Sequence, residues 1–146
     1  MAKDKETAKT TFSTLTPKSL EELIEAYRVP RDRLPVLPDY AQTIHNPPTG
    51  LAGVYHHHLK AGLRFHVHGF VSAVLAHYGV HLVQLAPNGF RKVLCFIFIC
   101  KVLNISPTVD LFRYFYVASP SGDWLSFSKR AHVVELCLGL PSSIKK

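Results

Sequence analysis

Eight of the chain's nine histidines, His45, His56, His57, His58, His66, His68, His77 and His81, fall between Tyr40 and Val109. That seventy-residue run contains no Asp or Glu, and it also carries Lys60, Arg64, Arg91, Lys92 and Lys101. Imidazoles gathered in this way could ligate a soft metal or carry a charge that rises as pH falls. The same run excludes other chemistry. A two-metal nuclease or an integrase-type transposase needs several carboxylates around Mg²⁺, and the middle half of the chain has none. Outside the N-terminal region the carboxylates are only Asp110, Asp123 and Glu135.

The metal reading has one local pattern in its favour. His66 and His68 form an H-x-H pair able to reach Zn²⁺ from one strand, and His77 and His81 are four apart. Gly79 should break a helix between the second pair, and no cysteine pair or carboxylate lies close in sequence to complete a tetrahedron. His66 and His68 therefore stay weak candidates. No metal site is assigned and no cofactor is expected. Cys95 and Cys100 would sit roughly 140° apart on a helix and share no ligand face. They read as buried small hydrophobes.

Positive charge points elsewhere. The net charge of +7 and pI near 9.5 are unevenly spread: residues 1–39 sum to zero, 40–109 to +5 and 110–146 to +2. Arg64, Arg91, Lys92, Arg113, Lys129 and Arg130 are the candidate nucleic-acid-binding residues, with Tyr114, Tyr116 and Trp124 available to stack on bases. Arg113, Lys129 and Arg130 flank the expected β element and make the best local patch. The competing account is a solvated basic face with its aromatics in the core. No Gly-rich phosphate cradle and no Gly-x-Ser-x-Gly elbow occurs, so no catalytic residue is assigned.

The elements that must position these residues can be read from the pattern. Residues 1–15 form a polar N-terminal tail expected to be disordered, residues 16–140 a single domain, and residues 141–146 a short tail. Thr16-Pro17-Lys18-Ser19 starts a helix to about Arg28, capped either by Thr16 or by a Ser19–Glu22 box. Pro30, Pro35 and Pro38 impose an extended arm. Helices follow over Ala52–Lys60, Gly69–Tyr78, Asn88 to about Leu103, and from Pro107 or Thr108 through Phe115. Within the longest, the octet Val93–Cys100 is apolar on every face and should be the buried centre. Ser119-Pro120-Ser121-Gly122-Asp123 is turn chemistry, so Trp124–Ser128 reads as one arm of a hairpin, and His132–Leu138 as a further strand. The fold class is mainly α: a compact multi-helix domain with a small β hairpin or strand pair near the C-terminus.

The order of particular residues adds a resemblance. Asn46-Pro47-Pro48-Thr49-Gly50, Val54-Tyr55, Ala61-Gly62-Leu63-Arg64-Phe65, His68, Tyr78-Gly79 and Gln84-Leu85-Ala86-Pro87-Asn88 lead into Pro107-Thr108-Val109-Asp110-Leu111-Phe112-Arg113-Tyr114-Phe115 and Gly122-Asp123-Trp124-Leu125-Ser126-Phe127-Ser128-Lys129-Arg130. This succession resembles the gypsy-type transposon domain of plants over roughly residues 20–140. The resemblance implies a transposable-element origin. It brings no catalytic residue set, cofactor or substrate. Longer members of that family continue past the position of Lys146, so a truncated or degenerate copy is expected. The chain departs from the pattern at His66 and Gly69, where the family has prolines, and at His56-His57-His58, so part of its histidine content is its own.

The function expected is non-catalytic association with nucleic acid or other element-encoded proteins, as a Gag-like or transposase-accessory module. The alternatives are a relic without activity, or part of a transposase or nuclease whose catalytic region lies elsewhere. The odd cysteine count, the lack of a secretory h-region and the shortness of the longest apolar run predict a protein of the nucleus or cytoplasm, neither secreted nor membrane-bound. The sequence leaves the oligomeric state open.

Overall fold

A computed structural model describes residues 13–33, 35–39 and 42–139. Most of the two tails expected at the ends of the chain lies outside the described residues. Within them the chain forms five α-helices and one antiparallel hairpin, as its pattern implied.

Helix α1, Pro17–Tyr27, starts where Thr16 accepts from the Ser19 backbone N–H while the Ser19 hydroxyl accepts from that of Thr16. This reciprocal pair, with Pro17 in the first turn, selects Thr16 over Ser19 as the cap. The proline arm behind it is interrupted by one 3₁₀ turn at Arg31–Arg33. Helix α2 is shorter than the sequence indicated and spans only His56–Lys60. Residues 51–55 carry no helix, and there Gly53 lies directly against the backbone of Ile44. A Cβ at position 53 would collide with the Ile44 carbonyl, so this close passage is open to glycine alone.

Helix α3, Gly69–Tyr78, ends at Gly79, and α4, Pro87–Val102, begins on its own proline. Asn104, at φ 55°, turns the chain out of α4, and the Ile105 N–H returns to the Cys100 carbonyl at 2.9 Å. Thr108 caps α5, Val109–Phe115, through the Leu111 N–H. The helix passes without a break into β1, Tyr116–Ser121, which pairs with β2, Trp124–Lys129. The register sets Tyr116 opposite Lys129 and Ser121 opposite Trp124. Among the described residues no third strand follows. Over His132–Leu138 the chain turns, and side chains rather than a ladder satisfy its backbone, as where Glu135 Oε1 accepts the Cys137 N–H at 3.2 Å.

Phe112 is the hub of the core. Its ring, fully buried, lies 4.9 Å from that of Phe127, 5.0 Å from Tyr116, 5.3 Å from Phe96 and 6.0 Å from Phe70. One side chain thus joins α3, α4, α5 and both strands. The apolar octet of α4 is not buried all round: Val93, Phe96 and Cys100 face inward, whereas Phe98 is 66% exposed. Exposure there follows the helical period, which an unbroken apolar run conceals.

The hairpin is seated on the start of α4. The Ala86 N–H donates to the Leu125 carbonyl at 2.7 Å, and a Cβ on Gly89 would stand 3.1 Å from the Ser126 Cα. Gly89→Val should therefore force helix and hairpin apart and cost about 1–3 kcal/mol, measured by urea denaturation. Unchanged stability would mean that the seam is looser than this distance implies. Among the described residues no helix is long and apolar enough to cross a membrane.

Candidate nucleic-acid interface

The end of α5 leaves carbonyls without helical partners, and the hairpin returns basic residues to it. The Arg130 N–H donates to the Phe115 carbonyl at 2.9 Å, and its Nε donates to the Arg113 carbonyl at 2.7 Å. Lys129, opposite Tyr116 in the ladder, donates from Nζ to the Val133 carbonyl at 3.0 Å and the Arg130 carbonyl at 3.3 Å. Arg113 stands in the last turn of α5, where a cation also complements the helix dipole. The three residues are exposed and linked in series, Lys129 to the Arg130 carbonyl and Arg130 to the Arg113 carbonyl. Asp110 reaches Arg113 at 3.6 Å, but at 94% side-chain exposure this is a screened, weak pair.

Carbonyl capping leaves most of the Arg130 fork available, since a guanidinium has five N–H donors and the backbone bond uses Nε alone. A guanidinium held this way is already oriented for bidentate contact with a phosphate. Tyr114, 63% exposed, adds an aromatic face next to Arg113.

The other candidates lie elsewhere. Arg64 caps the end of α2, donating to the Leu59 and Leu63 carbonyls at 3.1 and 2.7 Å, with its guanidinium 5.3 Å above the Tyr27 ring. Arg91 joins it through the Lys60 carbonyl at 3.5 Å. Lys92 turns inward: its ammonium donates to the Phe127 carbonyl at 2.7 Å and lies 5.6 Å over the Tyr116 ring. Two of the stacking candidates are structural as well. Tyr116 is buried in the core, and Trp124 packs on Tyr55 at 5.0 Å.

The histidines separate in the same manner. His68 Nδ1 accepts from the Phe70 N–H at 3.1 Å and so caps α3, while His66 sits at φ 79°. His77 and His81 are divided by Gly79, and His81 opens the 3₁₀ turn Leu82–Gln84. Among the described residues no group of three or more His, Cys, Asp or Glu side chains converges to hold a metal. Asp110 lies in the first turn of α5 and Asp123 at the hairpin tip, while Glu135 meets Tyr116 at the hairpin's opposite end.

His58, which the spacing of the histidines does not set apart from the others, lies in the core. It is fully buried, and its Nε2 donates to the Leu85 carbonyl at 2.7 Å, tying α2 to the approach of α4. The nearby Leu59 and Leu63, both buried, are the signal in the chain that points to an inward position. Burial holds His58 below the ordinary imidazole range, with the Leu85 carbonyl opposing it in part. His56 and His57, with rings 3.9 Å apart, are lowered too, chiefly by burial and then by neighbouring positive charge.

Depressed folded-state values mean that the unfolded chain binds more protons, so stability rises with pH and falls on acidification. The loss should begin near the free-histidine pKa of about 6.5 and deepen below it. Chemical denaturation between about pH 7.5 and pH 5 should show this fall, and His58→Gln should flatten it. A pH-independent midpoint would contradict the buried, neutral assignment.

Residues 54–120 match the model of a family described as "Putative gypsy type transposon". No curated protein and no solved structure matches the chain.

Proposed function

We propose that this chain, whose residues 54–120 match the gypsy-type transposon family model, is a non-catalytic association module of a transposable-element protein. Its ligand is the phosphate backbone of nucleic acid, taken up by Arg113, Lys129 and Arg130, with Tyr114 stacking on an unpaired base. The observation that carries this reading is the Arg130 Nε bond to the Arg113 carbonyl at 2.7 Å, which fixes two guanidinium-bearing residues side by side. Arg64 and Arg91, around the end of α2, supply a second and more diffuse positive region. Free thiols at Cys95, Cys100 and Cys137 support a setting in the nucleus or cytoplasm. Fluorescence anisotropy with single-stranded and duplex oligonucleotides at low salt tests the reading. Binding that weakens steeply as salt rises supports it, and no binding to either form removes it.

Association with other element-encoded proteins is the second reading, and it has its own observation. Phe98, Val102 and Leu103 are 66%, 67% and 62% exposed at the C-terminal end of α4. Apolar surface grouped in this way marks partner sites. In its simplest form the partner is another copy, and Phe98→Glu should then reduce concentration-dependent self-association in sedimentation velocity. A chain that stays monomeric at every concentration excludes that form.

A further inference from the structure

Cys95 and Cys137 are 42 positions apart in sequence, yet they meet between α4 and the irregular segment after β2. The Cys95 thiol donates to the Leu136 carbonyl at 3.4 Å, which places it beside the next residue, Cys137. Cys137 is held from the other side, with its Sγ 3.5 Å from Tyr116 Oη. Glu135 Oε1 accepts both the Cys137 N–H at 3.2 Å and the Tyr116 hydroxyl at 3.3 Å, so the backbone of Cys137 is fixed as well as its sulfur. Tyr116 is in turn locked into the aromatic core by its ring contact with Phe112. Cys100, five positions beyond Cys95 on α4, is turned roughly 140° away from this contact and is buried.

The geometry points to Cys95 and Cys137 as a reversible disulfide site, closed by a hydroperoxide and reopened by a low-molecular-weight thiol. Cys95 is half-buried and reacts first, whereas burial pushes the Cys137 thiol up to about 12 and keeps it protonated. The Cys95 sulfur attacks an oxygen of hydrogen peroxide and the O–O bond breaks. A sulfenic acid forms on Cys95, and water leaves carrying the Cys95 thiol proton. The Cys137 sulfur then attacks the Cys95 sulfur, the S–O bond breaks, and hydroxide leaves as water with the Cys137 proton. In sum two thiols lose two electrons and two protons, and one peroxide becomes two waters. The product fastens the segment after β2 to α4. Neither step depends on nucleic-acid binding.

Treatment of the whole chain with hydrogen peroxide tests this. Two of the three free thiols should disappear, the intact mass should fall by two hydrogens, and peptide mapping should link Cys95 to Cys137. Dithiothreitol should restore both thiols. Cys100→Ser should leave the link unchanged, and Cys137→Ser should leave a sulfenic acid on Cys95 that dimedone traps. The wild-type map and the Cys100→Ser map decide the matter even if Cys137→Ser fails to fold. A link through Cys100, a link only between separate chains, or over-oxidation of Cys95 with Cys137 still a thiol would overturn the assignment.

Discussion

Phe112→Ala should cost about 3–5 kcal/mol of folding stability, the range for emptying a buried aromatic site. Phe112 is fully buried and meets Phe70, Phe96, Tyr116 and Phe127, so no single element can move to fill the space without giving up another contact. Against a total stability of about 5–15 kcal/mol, a loss of that size leaves the variant barely folded or unfolded at ambient temperature. Urea titration followed by circular dichroism measures it. Phe98→Ala is the matched control, since that ring is 66% exposed and its removal should stay within about 0.5 kcal/mol. Equal costs for the two would mean that the apolar octet of α4 is buried all round, and the seating of α4 would have to be redrawn.

That pair of variants also shows what the sequence could convey about the fold. Helices α3 and α4 were legible almost to the residue because Gly79 and Pro87 punctuate them, and local chemistry of that kind is written in the chain. The hairpin was legible for the same reason, through its Gly122-Asp123 turn. The start of α2 was not, and the close passage of Gly53 against Ile44 just before it is a tertiary event with no local signal. Nor was the direction of Phe98: an octet without polar residues has no periodicity to reveal which positions face solvent.

The candidate site divides along the same line. Arg113, Lys129 and Arg130 could be grouped from sequence because a short hairpin must bring its far end back to the helix it follows. Trp124 and Tyr116 looked equally fit for stacking, and only packing distinguishes them from Tyr114. Lys92 was as basic as the others, yet its partner, the Phe127 carbonyl, lies 35 residues away and draws it inside. The meeting of Cys95 with Cys137 and the burial of His58 under Leu85 are long-range in the same sense.

The second large effect is expected at the basic patch. Replacing Arg113, Lys129 and Arg130 together by Gln should lower affinity for single-stranded nucleic acid at low salt by well over tenfold. Each residue that neutralises a phosphate releases condensed counterion, which contributes about 0.7 to the salt slope on single strands. Three such contacts amount to about 2 in that slope. Some stability will be lost as well, because Arg130 caps the Phe115 and Arg113 carbonyls at 2.9 and 2.7 Å. Arg113→Gln alone separates the two effects. Among the described residues its side chain pairs only with the exposed Asp110, so Arg113→Gln should weaken binding while costing no more than the helix-dipole contribution of about 0.3–1 kcal/mol. Arg64→Gln should weaken binding less, since its guanidinium is committed to the Leu59 and Leu63 carbonyls.

The most direct test of the central claim is the salt dependence of single-stranded oligonucleotide binding, wild type beside the folded triple variant. A wild-type plot of log affinity against log salt that is steeper than the variant's by about 2 is the expected result. Parallel plots for the two proteins, or wild-type affinity indifferent to salt, would contradict the assignment of Arg113, Lys129 and Arg130 as the phosphate-binding patch.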